Sequence, residues 1–490
     1  MSSAMLSTTG IYFLLGYLAS MILVGVAGKL ASKESSMKDF YLGGAGFGVT
    51  ILFLTMYATQ YSGNSLIGFA GSSYRSGWFF LVAVTFMIAI VGGYLLYAPR
   101  LYPLARKHGF ITIGDYIQHR YNHQLLTYII VAIGIFALSN YMLTNLKAIG
   151  YILETVTGGM VGFTEGIIAM AFIMVIYETL GGMRSVAWTD AIQGVLLFVG
   201  VIIIFAVVWV HYGSLETNTA ILMQLRADFF ADPTPLQQIK WVSVLILIFF
   251  GISVYPQAIQ RIYAARDERT LRRSLQLMIV MPFLTTLPLI AIAVIGAAHF
   301  PGLDKLESEQ IILIMLNELS GIAGMQIVLT LFVAAAIAAI MSTVDSALLA
   351  IASLFTQDIY HRRKPQASQR ELTYVGKVFS WGMMAFMVYL AISLPSTIWW
   401  LIQIKLEILC QIAPAIMLGV WFKQVSSRAI MAGLLAGVGI TLLFLLTPLP
   451  SKPFGIHAGV IGLVLNFATV YIAVRSDSGR AGTPDQARRV

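Results

Sequence analysis

The chain has 490 residues, of which 58% are hydrophobic and only 11% are charged. Soluble globular domains carry roughly 25% charged residues, so this composition excludes a soluble protein. The net charge of +9 could indicate a nucleic-acid partner, and the single cysteine, Cys410, excludes an intramolecular disulfide and a thiolate metal site.

Apolar blocks long enough to cross a bilayer as helices recur along the whole chain. No Lys or Arg precedes Lys29, so the first block lacks the basic start of a secretory signal and is predicted to be a retained span. We therefore predict an all-α polytopic membrane protein with thirteen transmembrane helices, at 9–28, 48–72, 78–98, 124–156, 164–181, 187–211, 240–259, 274–299, 326–356, 374–393, 397–421, 429–447 and 455–474.

Positive charge predicts the orientation of these spans. With the N-terminus outside, 24 of the 31 Lys and Arg residues fall in segments that face inward. Four face outward (Arg75, Arg226, Lys305 and Lys452), and three lie within or at the edge of spans (Lys147, Lys240 and Lys405). The positive net charge therefore comes from basic residues on the cytoplasmic side of the membrane. Nucleic-acid binding is the weaker interpretation.

Two spans carry residues that interrupt helices. The second span contains Gly63, Gly68 and Gly71 in "TQYSGNSLIGFAG", and the seventh contains Gly251 and Pro256 in "FFGISVYPQAIQR". Glycines also allow close helix packing, but paired breaks in corresponding helices favour an inverted repeat with a mid-membrane binding site. The predicted units are an N-terminal helix (1–37), a five-helix repeat (38–212), an extracellular loop (213–239), an inverted repeat (240–421), two C-terminal helices (422–474) and a cytoplasmic tail (475–490).

The span 326–356 carries a polar face. Ala339, Ser342, Thr343 and Ser346 follow helical spacing, and Asp345 flanks them. Hydroxyls and a carboxylate are ligands for a hard cation such as Na⁺, although Ser and Thr also bond back to their own helix. A carboxylate in hydrocarbon costs about 2.5–3.5 kcal/mol, so Asp345 is expected to face a cavity or a partner.

Other ionisable residues fall within or near the predicted spans. Asp190 lies in the first turns of its helix, where a cation held between it and the Ser342/Ser346 face would compensate both. Lys405 and Glu407 are two residues apart and are not expected to pair with each other. Lys147 needs a partner or a water-filled pathway. Glu154 and Glu178 lie near span ends and are expected at the membrane–water interface.

Motifs for catalysis are missing from the sequence. The seven histidines fall mostly in loops or near span ends and form no metal-ligand pattern, and His119 and His123 have no Cys or acid beside them. No nucleophile–base spacing, phosphate-binding loop or dinucleotide fingerprint is present. We therefore do not expect an enzyme.

Several motifs resemble those of the sodium:solute symporter family. The segments "GGMRSVAWTDAIQG" and "MSTVDSALLAIASLFTQDIY" are similar to its two characteristic motifs, and "DFYLGGAGFG" followed by "YSGNSLIGFAG" is similar to its first core helix. The resemblance covers about Lys38 to Arg362. It implies the leucine-transporter fold, with two inverted five-helix repeats and one extra helix before them.

The resemblance also implies cation sites. Its Na⁺ site would be formed by the backbone carbonyls of Ala58, Tyr61 and Ala339 and the hydroxyls of Ser342 and Thr343. A second site, known in some members, would fall on Ser342, Asp345, Ser346 and Asp190. Asp345 stands where other members have a hydroxyl, and this acid could hold a second Na⁺ or carry a proton.

The same resemblance bears on the solute. Sugar-carrying relatives have an acid–amide pair where this chain has Asn64 and Ser65, whereas "SGNS" is closer to relatives that carry proline, monocarboxylates or pantothenate. We expect a small carboxylate-bearing solute. The residues expected to bind it are Ser62, Gly63, Asn64, Ser65, Gly251, Tyr255 and Gln257.

The sequence therefore predicts a secondary transporter that couples Na⁺ entry to solute uptake in the bacterial inner membrane. The expected partners are the solute, Na⁺ and the lipid bilayer, without nucleic acid; a monomer is expected to suffice, and an oligomer is compatible with transport. The alternatives are an H⁺-coupled symporter and a transporter-like membrane sensor that works with a partner protein. A channel is disfavoured because no selectivity filter is recognisable.

Overall fold

The structure, a computed structural model, describes residues 5–32, 36–394 and 398–480. Within these ranges the side chains of Asn64, Leu306, 398–403 and 477–480 are not described. Helices make up almost all of the described chain, and its only strand-like pairing is an isolated bridge between Phe47 and Ala265. Residues 481–490 of the predicted cytoplasmic tail lie outside the described part.

In the described residues, sixteen helices form the bundle. They are α1 (Thr8–Leu30), α2 (Val49–Gln60), α3 (Phe69–Ser76), α4 (Val82–His108), α5 (Gln124–Val156), α6 (Phe163–Tyr212), α7 (Pro235–Gly251), α8 (Pro256–Ala264), α9 (Glu268–Leu284), α10 (Thr286–His299), α11 (Met325–Leu354), α12 (Gln369–Ser393), α13 (Ile398–Leu409), α14 (Ala413–Trp421), α15 (Ser427–Leu446) and α16 (Ala458–Arg480). Shorter helices in the connections include Met37–Leu42, Ile113–Tyr121, Leu215–Leu225, Lys305–Glu309 and Ile311–Glu318.

Eleven helical stretches of the described chain are long and apolar enough to cross a membrane. Two of them hold more than one span. The 50 residues of α6 are more than twice the ~20 that cross a bilayer, and the stretch Ser65–His108 joins half of one span to the whole of the next. Counting these additional spans gives the thirteen that the sequence predicts.

The bend in α6 occurs at Gly182. Its backbone has φ +56° and ψ −141°, a conformation that is available almost only to glycine. A Cβ at this position would lie 2.4 Å from the Phe40 carbonyl oxygen. Two spans thus follow each other at this glycine without a loop between them.

Both predicted helix interruptions are present. The first separates α2 from α3: α2 ends at Gln60, Tyr61 leaves the helical conformation (φ −97°, ψ 85°), and a π-helical turn spans Asn64–Gly68. The second separates α7 from α8 at Tyr255 (φ −56°, ψ 133°). Pro256 opens α8, at a position where its missing N–H leaves no bond unmade.

The centre of the bundle is α11. Every residue from Phe332 to Leu354 is buried, and α11 contacts α1, α2, α5 and α6. α11 is thus surrounded by protein on all sides. The polar side chains of α11 therefore face other helices.

Candidate functional site

The predicted Na⁺ ligands lie where the end of α2 contacts α11. The Ser342 hydroxyl of α11 donates to the Ala58 carbonyl of α2 at 3.0 Å. It also lies 3.1 Å from the Ala339 carbonyl of its own helix. Thr343 donates to the same Ala339 carbonyl at 2.9 Å. Tyr61, the fifth predicted ligand, is buried and directly follows α2, three positions after Ala58.

This cluster has the composition of an alkali-cation site. The four atoms that meet here are carbonyl or hydroxyl oxygens, which are the ligands that Na⁺ prefers. The residues that carry them are at most 1% exposed. The break after Gln60 is what makes the Ala58 carbonyl available, since it accepts a bond from another helix instead of continuing its own ladder. The residues fit Na⁺.

Asp190 is compensated by an arginine from a segment that is predicted to face inward. The Arg261 guanidinium lies 2.8 Å from Asp190, and both side chains are essentially completely buried. Arg261 also bonds Thr55 at 2.9 Å and the Ser346 hydroxyl. The positive charge between Asp190 and Ser346 is therefore the Arg261 side chain.

These contacts define the Arg261 network, formed by Arg261, Asp190, Thr55 and Ser346. Thr55 donates to Asp190, and Thr59 extends the network by lying 3.3 Å from the Ser346 hydroxyl. The residues belong to α2, α6, α8 and α11, so one set of charged hydrogen bonds joins four helices.

Asp345 points to a different partner. Its Oδ2 accepts a hydrogen bond from Tyr177 at 2.6 Å, and its Oδ1 accepts the Ser346 backbone N–H at 2.7 Å. Asp345 and Asp190 are close enough to interact electrostatically, and the second carboxylate oxygen of Asp190 is buried without a hydrogen-bond partner. The four residues of the predicted second cation site are thus neighbours, but Ser342 and Ser346 are each bonded elsewhere.

A central cavity of about 1150 Å³ lies beside the cation cluster. Of the predicted solute-binding residues, Ser62, Gly63, Ser65, Tyr255 and Gln257 line it. Gly251 is not among the lining residues and packs instead against Leu406 and Cys410. The Asn64 side chain lies outside the described part of the structure.

Three other ionisable residues find partners in the structure. Glu407 bonds His457 at 2.8 Å and also accepts the Gly459 backbone N–H. Lys147 donates to the Leu394 carbonyl. Glu178, expected at the interface, is instead completely buried, 3.4 Å from the Ser380 hydroxyl.

Sequence spacing missed Arg261, Tyr177 and Tyr141. Tyr141 stacks on Tyr255 with ring centroids 5.4 Å apart and also lines the cavity. Arg261 offered one signal, because it stands four residues after Gln257, on the same face of the broken span. Within the described residues, no group of three or more His, Cys, Asp or Glu side chains could hold a metal ion.

Known proteins are similar to this chain in sequence and in fold. The profile of the "Sodium:solute symporter family" matches residues 40–437. The chain is 26% identical to a sodium/pantothenate symporter of Haemophilus influenzae, over 88% of this chain and 89% of the relative. It is 27% identical to the osmoregulated proline transporter OpuE of Bacillus subtilis, over 95% of this chain and 93% of the relative.

A solved structure shares the fold. It is the substrate-bound, outward-open state of a Na⁺-coupled sialic acid symporter, which superposes with a TM-score of 0.79 at 20% identity and covers 96% of this chain and 98% of that one. The predicted leucine-transporter-like fold is confirmed. Together with the family profile, these matches show that the chain belongs to the sodium:solute symporter family.

Proposed function

We propose that this protein uses a Na⁺ gradient to import a small carboxylate-bearing solute by alternating access. Its activity is transport and not catalysis. The observation that supports this most directly is the meeting of Ala58, Ala339, Ser342 and Thr343 at a helix break beside the central cavity. An ion held there would contact both α2 and α11, so its binding would depend on how these helices are arranged.

Each site has a proposed role. Na⁺ binds to the Ala58, Tyr61 and Ala339 carbonyls and the Ser342 and Thr343 hydroxyls. A second cation, Na⁺ or H⁺, binds at Asp345 with Asp190 and Ser346 beside it. The solute binds in the cavity near Ser62, Gly63, Asn64, Ser65, Tyr255 and Gln257.

The proposed setting follows from the charge distribution. The protein lies in the bacterial inner membrane with its N-terminus outside, so the cavity end that carries Arg75, Lys305 and Lys452 faces outward. One chain contains both the cation cluster and the cavity, which supports a monomer as the transporting unit.

The test is uptake into proteoliposomes. Labelled D-pantothenate, L-proline and propionate are offered with an inward Na⁺ gradient, with an inward H⁺ gradient and with neither. We expect one probe to accumulate when the inward gradient is of Na⁺, and not when it is of H⁺ or absent. Accumulation driven by H⁺ and indifferent to Na⁺ would overturn Na⁺ coupling and favour the H⁺-coupled alternative, for which the buried Asp345–Tyr177 pair is the structural candidate.

A further inference from the structure

The central cavity has a large excess of positive charge. Of the seven Lys and Arg residues outside the segments predicted to face inward, six line this one cavity, and only Arg226 does not. Arg261 lines it as well, and among the lining residues that the structure describes Glu309 is the only acidic one. The cationic lining residues are Arg75, Lys147, Lys240, Arg261, Lys305, Lys405 and Lys452.

Two of the deeper cations already have partners. Arg261 is neutralised by Asp190, and the Lys147 ammonium donates to the Leu394 carbonyl. Arg75 donates to the Ser308 hydroxyl and the Lys305 carbonyl, on the side of the cavity near the Lys305–Glu309 helix. Each of these three groups therefore has a hydrogen-bond acceptor in the protein, and Arg261 also has a counter-charge.

Lys405 differs from them. Its residue is 3% exposed, and its ammonium nitrogen lies over the Tyr141 ring, 4.0 Å from the ring centroid. No acidic side chain in the described part of the chain forms a salt bridge with it, and the nearby Glu407 is bonded to His457 and Gly459. A buried ammonium ordinarily requires a counter-charge, and a ring face supplies only part of it.

The position of Lys405 places this requirement within the solute-binding region. Tyr141 stacks on Tyr255, one of the residues predicted to bind the solute, and Lys405, Tyr141 and Tyr255 all line the same cavity. An anionic group beside Lys405 would neutralise the ammonium, while the paired rings would contact the apolar part of the same molecule.

We propose that Lys405 binds the carboxylate of the solute and that the solute is a net anion without an ammonium group. This deepens the proposed symport and depends on it. A zwitterion such as proline would bring an ammonium group into a cavity whose described lining offers one carboxylate, that of Glu309 in the short helix Lys305–Glu309. A monocarboxylate or a pantothenate-like acid brings one negative charge, and the outer lysines would attract it to the cavity.

The experiment compares Lys405→Gln and Lys405→Arg with the wild type in nanodiscs. Binding of D-pantothenate, propionate and L-proline is measured in Na⁺ buffer, together with pantothenol and propionamide, the uncharged analogues of the two acids. Lys423→Gln is the matched control, because Lys423 is exposed and lies outside the cavity.

We expect an acid to bind to the wild type at least tenfold more tightly than its uncharged analogue. Lys405→Gln should abolish this preference, Lys405→Arg should keep most of it, and Lys423→Gln should leave it unchanged. Stabilisation by Na⁺ alone should persist in Lys405→Gln, which shows that the variant is folded and that its cation site is intact.

Three results would overturn the proposal. They are unchanged acid binding in Lys405→Gln, binding of proline without either acid, and no binding of either acid to the wild type. Failure of the proposed symport is distinguishable, because Na⁺ would then neither stabilise the protein nor drive uptake of any probe.

Discussion

Ser342 shows what a hydroxyl contributes inside an otherwise apolar helix. It bonds the Ala339 carbonyl of its own helix, as serines in membrane helices commonly do, and it also reaches the Ala58 carbonyl of α2. The second contact converts a local helix bond into a group of oxygens shared by two helices.

Ser342→Ala should weaken Na⁺ binding. Loss of one of five proposed ligands is expected to raise the Na⁺ concentration for half-maximal thermal stabilisation about tenfold, equivalent to ~1.4 kcal/mol. Ser139→Ala is the control, because the Ser139 hydroxyl bonds the Ile135 carbonyl of its own helix, one turn back. An unchanged Na⁺ requirement in Ser342→Ala would remove this residue from the site.

Asp345→Asn should alter the second coupled cation. The amide keeps an acceptor for Tyr177 but carries no charge, so a second Na⁺ or a proton would lose its binding group. If Asp345 holds Na⁺, the Na⁺ dependence of uptake should lose its cooperativity; if it carries a proton, the pH dependence of uptake should flatten.

The comparison variant is Asp228→Asn, because the Asp228 carboxylate of the wild type is exposed and pairs with Arg226. A wild-type profile for both Na⁺ and pH in Asp345→Asn would make Asp345 a structural residue.

Residues on one helix could be predicted from the sequence, but their partners on other helices could not. Helical spacing placed Ala339, Ser342 and Thr343 together because i, i+3 and i+4 share a face. It could not reveal that Arg261 would reach Asp190, because that contact depends on how α8 packs against α6. Gly251 was misplaced for the same reason: it marks the break but faces α13 and not the cavity.

At the scale of elements, the interruptions have separate physical causes. Tyr255 precedes a proline, which disfavours helical backbone at that residue. At position 182 the backbone angles are ones that require glycine. The span count could be predicted because hydropathy and charge alternate along the chain. The continuity of α6 could not, since it depends on a single backbone conformation at Gly182.

Gly182→Ala should destabilise the protein. The strained backbone alone costs about 1–3 kcal/mol, and the new methyl group would also collide with the Phe40 carbonyl. Gly382→Ala is the matched control, because a Cβ there meets nothing within 4 Å and a helical alanine is favoured by about 1 kcal/mol. Thermal unfolding in detergent should separate the two, and equal stability would show that the bend does not need glycine.

At the scale of the whole molecule, the Arg261 network joins four helices next to the cavity. Breaking one side of a buried ion pair leaves the other charge without compensation, typically at a cost of 3–5 kcal/mol. The packing of these four helices therefore depends on one buried ion pair.

Arg261→Gln should lower stability by about 3–5 kcal/mol, and adding Asp190→Asn should restore part of the loss because no unpaired carboxylate remains. Arg272→Gln removes an exposed helix pair with Glu268 and should cost only about 0.3–0.5 kcal/mol. Thermal unfolding of the wild type, Arg261→Gln, Asp190→Asn, the double variant and Arg272→Gln measures these differences. If the double variant is as unstable as the two single losses combined, charge compensation is not the reason for the pairing.

The contact between α2 and α11 also bears on how tightly ion and solute movements are linked. Ser342 holds Ala58 at one level, and Ser346 meets Thr59 and Arg261 one turn further along the same helix. If these two helices separate, the proposed Na⁺ ligands and the Arg261 network come apart in the same movement. A transporter built in this way has little opportunity to slip, since an ion could leak through without its solute only if one level opened while the other stayed closed.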